Sequence, residues 1–327
     1  MRGNTKRFFK ALLRELTNWI DVTKDRSADL IISLIVYCEE HLTMDFHDTI
    51  LKVVKALGMS LSEGKTSASL TTKIELILEL MGRFVDPDTY VPLLLPRIVG
   101  DKESATSFSE GGAHTEEGQK VCAAAFSSLM KGTLTRQLTP HVKSIVTSLC
   151  ESSDCLTSDV STDSRIVFCR CLNTMLGKIR GNDGKVLTGY FNATGRLADL
   201  DPLWMMICRS LLALQNNTER NKLLTEEANV GLDLLSKKGG SSDGSLNTNN
   251  YGLSNWAAKI HRKALEEIME DGHAMWEFDS SDVCVIENLW NNEEALSGML
   301  AASADLVKYG KWIVEGVKVR RSKERGQ

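Results

Sequence analysis

The chain has 327 residues, with only 5 prolines, 6% aromatic residues and a formal net charge of -4. That length can bury a sizeable core, and a composition rich in Leu, Ala, Ser and Lys with few Val, Thr and Tyr runs predicts an all-α fold. The slightly acidic balance leaves no global basic field for bulk nucleic-acid binding or an anionic membrane. No apolar run reaches the roughly 18 to 20 residues that span a bilayer, and the basic start has no signal-type apolar block behind it. A soluble, intracellular chain is expected.

The first legible unit covers residues 8–41. Phe9, Leu12, Leu13, Leu16, Trp19 and Ile20 recur at helical spacing and predict an amphipathic helix. Ala28, Leu30, Ile31, Leu34, Ile35 and Cys38 predict a second helix with a broader apolar face, covered on more than one side. Residues 21–26 are read as the turn between them. There Asp21 caps, Val22 plugs the hairpin and a basic residue lies within reach of the acid. Such a hairpin cannot bury its outer faces alone, and stacking on copies of itself is the remedy that helical-repeat solenoids use.

The pattern then repeats. Phe46, Ile50, Leu51, Val53, Val54 and Leu57 form a helical stripe that Gly58 is placed to end, followed by a polar loop at residues 61–69. Residues 72–84 supply the partner helix through Ile74, Leu76, Ile77, Leu80, Met81 and Phe84. Asp86-Pro87-Asp88 opens the next helix, with proline at a first-turn position and Gly100 as its end. Residues 102–117 read as an inserted polar loop. Helices over 119–130, 138–150 and 163–179 complete a third and a fourth pair, the last two separated by a polar stretch. First helices anchored at Leu12, Leu51, Leu94 and Ile145 are 39, 43 and 51 residues apart, beside about 40 to 47 for HEAT and armadillo units.

Beyond Gly181 the pattern is fainter. Helix is expected over 202–214, a more polar helix over 218–237, and further helices over 256–269 and 281–319. The resulting organisation is HEAT-like repeats over 1–180, further helical repeats over 181–237, a flexible linker over 238–253, and a C-terminal helical section with a charged tail over 254–327. The expected fold class is an all-α, HEAT/armadillo-type solenoid of stacked antiparallel helix pairs.

No residue is assigned a catalytic, cofactor-binding or metal-binding role. The Gly-x-Ser-x-Gly match at Gly240–Gly244 around Ser242 lies in a Gly- and Ser-rich linker, not between a strand and a helix. Asp154, Asp159 and Asp163 lack the glycine and glutamate of a calcium loop. The eight cysteines fall mainly in apolar helical stretches and read as reduced packing thiols, with no matching ligand pairs at zinc spacing. Lys318, Arg320, Arg321, Lys323 and Arg325 read as a solvated tail, and Trp276, Phe278 and Trp290 mainly as core. What remains is surface, and the residues that would bind a partner are unknown at this stage.

Residues 18–60 and 76–94 resemble the HEAT-repeat axonemal dynein assembly factors. The resemblance rests on Asn18-Trp19, on Lys24 with Ser27-Ala28 and Leu30-Ile31, on Glu39-Glu40-His41, and on Gly82, Phe84, Val85 and Pro87. It covers about the first half of the chain. It implies a non-enzymatic scaffold or adaptor, without cofactor, that acts in the cytoplasm while dynein arms are preassembled for motile cilia. Implied partners are dynein heavy and intermediate chains, chaperones and other assembly factors, and not nucleic acid or membrane. A generic HEAT or armadillo scaffold, such as a transport adaptor or a phosphatase or kinase regulatory subunit, is the alternative. A helical enzyme with an unrecognised site is the third class. Members of the resembled family carry more repeats ahead of this region. The face of Phe9, Leu13 and Leu16 is therefore expected to lie open, in a fragment or a shortened array, and Glu at Leu13 and Leu16 to raise solubility.

Overall fold

The computed structural model describes residues 2–18, 20–39, 41, 46–63, 68–100, 115–151, 156, 160–179, 203, 206, 207, 210, 211, 214 and 222–236. Contacts divide the chain into two units, Met1–Arg196 and Leu197–Gln327. In the first unit α1 (Arg2–Glu15), α2 (Asp21–Cys38), α3 (Phe46–Glu63), α4 (Ala68–Phe84), α5 (Pro87–Val99) and α6 (Glu116–Gly132) follow one another. A broken element comes next: α7 (Thr135–Leu138), a 3-10 turn (Thr139–His141), α8 (Val142–Val146) and a π-helical turn (Thr147–Glu151). The unit's last described helix is α9 (Thr162–Lys178). Among the described residues there is no strand.

Helices pair as α1 with α2, α3 with α4 and α5 with α6. The second members, α2, α4, α6 and α9, pack on one another in series and form one layer. In the other layer α1 packs on α3, and α5 on the π-helical turn. This is the stacked-hairpin solenoid that the repeated apolar stripes require. In the second unit Leu203, Ile207, Leu211 and Leu214 are helical and buried at helical spacing, and α10 (Lys222–Ser236) buries Leu224, Ala228 and Leu232. The proposed linker at 238–253 and everything after it lie outside the described residues.

The first hairpin differs from expectation in three ways. Its connection is residues 16–20, and residues 21–26 are the first turns of α2. Asn18 closes the connection: its side-chain amide donates to Glu15, and its oxygen accepts the Ile20 N–H at 3.3 Å. Asp21 therefore does not cap, and Val22 is exposed instead of plugging the turn. The acid and base do meet, since Lys24 Nζ lies 3.2 Å from Asp21. α2 is also not enclosed, because Leu30, Val36 and Tyr37 stand out on the face opposite Ala28, Ile31 and Ile35. Finally, Phe9, Leu13 and Leu16 are only 5%, 2% and 1% exposed. α1 packs on α2 and α3, and the face of Phe9, Leu13 and Leu16 is not open.

Lys24 is itself buried, and its ammonium reaches across to Glu63 on α3 at 2.8 Å. This bond is the main cause of its raised pKa, with burial opposing and Asp21 adding to the rise. A lysine whose folded pKa is raised contributes stability that is fully present below its unfolded value near 10.5, and that is lost as pH rises through the folded value. The gap in melting temperature between wild type and Lys24→Met should therefore shrink as pH rises above the unfolded lysine value near 10.5. A gap that stays constant over that range would show that Lys24 carries no proton-linked stability.

Gly58 does not end α3; it lies within the helix against Val121 of α6, and the helix runs on to Glu63. Ser60, one turn before the end, is buried with its hydroxyl paired to that of Thr71. α6 starts at Glu116, inside the stretch 102–117 expected as loop, because the Thr115 hydroxyl accepts the Gly118 N–H at 3.1 Å; residues 101–114 lie outside the described residues. α4 and α6 cross backbone to backbone at Gly82 and Gly132. Beside the crossing, the Tyr90 hydroxyl and the Thr133 hydroxyl bond at 2.7 Å, and Thr133 reaches the carbonyls of Gly82 and Leu129 at 3.1 and 2.9 Å. The Tyr90 ring meets Phe126 edge to face, and burial raises the Tyr90 pKa.

Candidate functional site

α5 begins and ends as its residues dictate. The Asp86 carboxylate accepts the Asp88 N–H at 3.0 Å, Pro87 occupies the first turn, and Gly100 ends the helix at φ 77, a left-handed conformation that glycine adopts without strain. Removing the cap in Asp86→Ala should cost about 1 kcal/mol, with Asp86→Asn nearly neutral. Urea denaturation would measure both, and equal stability of all three proteins would exclude a capping role.

Two further prolines, Pro92 and Pro96, sit inside α5. Neither has an N–H, so the helical bonds to the carbonyls of Asp88 and Pro92 are not made. Opposite α5 runs the broken element, expected as one helix over 138–150. Pro140 cannot donate to the Arg136 carbonyl, and the chain tightens to a 3-10 turn, resumes as α8 and widens to a π-helical turn. Thr139 and Ser144 donate their hydroxyls to the carbonyls of Thr135 and His141 at 2.6 and 2.8 Å.

Two irregular helices do not close on each other, and a groove of about 730 Å³ is left between them. Val91, Pro92, Leu95 and Val99 make its apolar wall, with His141, Ser144 and Ser148 facing them. At one end Asp88 and His141 meet, with Nε2 3.1 Å from the carboxylate, and Asp86 is close by. One ligand atom from each of these three residues lies within 4.8 Å of the others. They could hold a divalent cation, but both aspartates are exposed and Asp86 is already engaged as a cap. Nothing in the sequence marks this cluster: Asp86-Pro87-Asp88 reads only as a helix start, and His141 comes from the next repeat.

A second surface is the open face of α2. Val22, Leu30, Val36 and Tyr37 share it with Arg26 and Asp29, and Tyr37 is 73% exposed. Of the residues weighed from sequence, Asp163 lies exposed in the first turn of α9, while Asp154, Asp159, Ser242, Trp276, Phe278, Trp290 and the basic tail lie outside the described residues. Cys122, Cys169 and Cys171 are buried among the packed helices, and burial pushes the Cys122 thiol up to about 11, which suits a packing role over a reactive one. No helix among the described residues is long and apolar enough to cross a membrane.

Successive antiparallel pairs in two layers, with an open groove between neighbouring pairs, define an all-α helical-repeat solenoid. The family model for the HEAT-repeat domain of dynein axonemal assembly factor 5 matches residues 1–191, and the chain belongs to that family. It is similar to dynein axonemal assembly factor 5 of Homo sapiens, with 26% identity over 156 residues, 48% of this chain. The match spans 16% of the length of that relative. No solved structure matches the chain.

Proposed function

We propose that this chain is a non-enzymatic scaffold that assists the cytoplasmic preassembly of axonemal dynein arms. The observation that carries this reading is the family match over residues 1–191, which covers the whole described run of helix pairs in the first unit. The fold supports it, since stacked pairs offer extended surfaces for other proteins. So does the open apolar face of α2, of a kind that in soluble proteins marks contact sites. Its partners in this reading are dynein heavy and intermediate chains, chaperones and other assembly factors.

The test is a pull-down or proximity labelling from ciliated cells with this chain as bait. Enrichment of dynein heavy and intermediate chains together with chaperones is expected. A stable complex with a transport receptor or a phosphatase in their place would leave the solenoid intact and remove the dynein assignment.

A further inference from the structure

We infer that the groove between α5 and the broken element is a docking site for an extended peptide segment that carries one lysine or arginine beside apolar residues. The groove would have this ligand chemistry whether or not its clients are dynein chains. Its volume of about 730 Å³ falls in the range of roughly 300–1,000 Å³ typical of pockets that enclose ligands. The long wall is apolar, formed by Val91, Pro92, Leu95 and Val99, and takes side chains and not a bare ion.

The polar groups along it are chiefly acceptors. No lysine or arginine lines the groove among the described residues, and Asp88 is its one carboxylate, with Asp86 beside it. The Asp88 side chain is 82% exposed, so beside its contact with His141 it can accept an incoming cation. Pro92 and Pro96, which line the groove, each remove one helical N–H, so the carbonyls of Asp88 and Pro92 lack their usual i+4 donor. An extended backbone offers such N–H donors, as in other grooves that bind peptides through main-chain bonds. A lysine or arginine at one end meets the Asp86 and Asp88 carboxylates through charge-assisted hydrogen bonds. An acidic segment would be repelled by those carboxylates, and a purely apolar one would gain nothing from them.

The experiment is selection of a random peptide display library on the full chain, followed by fluorescence polarisation of the enriched peptides. Three proteins are compared: wild type, the double variant Asp86→Asn with Asp88→Asn, and Ser144→Arg. Asparagine keeps the cap of α5, and Ser144 is exposed, so both variants should fold, as circular dichroism would verify. Enriched peptides should share one basic residue flanked by apolar ones. The double variant should bind them about tenfold more weakly or worse. Ser144→Arg, which fills the groove and adds the wrong charge, should abolish binding. No enrichment, a consensus without a basic residue, or equal affinity for Ser144→Arg would each overturn the inference. So would saturable binding of zinc ions at Asp86, Asp88 and His141 with no peptide binding.

Discussion

Gly132→Ala should disrupt the first unit more than a methyl group added at Gly58, Gly82 or Gly177. A Cβ at Gly132 would lie 1.7 Å from the carbonyl oxygen of Glu79 and 2.7 Å from its carbon. The reciprocal contact at Gly82 is 2.0 Å from the oxygen of Leu129. These are backbone atoms in the last turns of α4 and α6, so no rotamer change relieves them, and the two helices must move apart. Separation would also pull Thr133 from the Gly82 carbonyl and loosen the packing of Met81, Leu129 and Phe126. A loss of about 3 kcal/mol or more is expected, at or above the upper end for overpacking. Gly177→Ala is the control. Nothing lies within 4 Å of a Cβ there, and alanine in a helix should be neutral or stabilising by up to about 1 kcal/mol. Denaturant unfolding followed by circular dichroism reads both variants. If Gly132→Ala unfolds at the same midpoint as Gly177→Ala, the close crossing of α4 and α6 is not real.

The second large effect is expected at the start of the array. Leu13→Glu and Leu16→Glu each place a carboxylate where the leucine is almost wholly enclosed by α1, α2 and α3. Taking a carboxylate out of water into this packed apolar layer costs at least several kcal/mol. Both variants should lose helical signal or precipitate on expression. Phe8→Glu, at a position 50% exposed on the same helix, should stay within about 0.5 kcal/mol of wild type. Higher solubility with full helicity in the two leucine variants would instead restore the open face read from sequence.

That misreading shows where a one-dimensional pattern stops. Phe9, Leu12, Leu13 and Leu16 announce an apolar stripe, but the pattern does not say whether the stripe faces the helices that follow or a repeat ahead of them. The same limit explains α2. Leu30 and Val36 are about as apolar as the buried Ile31 and Ile35, and only the direction of the neighbouring helices leaves them outside. Gly58 was ambiguous in the same way, since glycine serves both to end a helix and to let two helices touch. Pro140 was a readable breaker inside 138–150, and the strong apolar stripe there concealed it.

The sequence by itself determined the all-α class, the pairing of α1 with α2, α3 with α4 and α5 with α6, and the boundaries of α5, because these follow from local rules: apolar spacing, a capping aspartate, a first-turn proline and a terminal glycine. Its resemblance to the dynein assembly factors, carried by packing residues, was legible for the same reason. The tertiary structure alone decided which stripes are enclosed, where α4 and α6 meet through glycine, and that Asp86 and Asp88 of one repeat stand beside His141 of the next. Each of these depends on how far apart neighbouring helices settle. That distance is fixed by side chains far apart in the sequence, acting together through close packing.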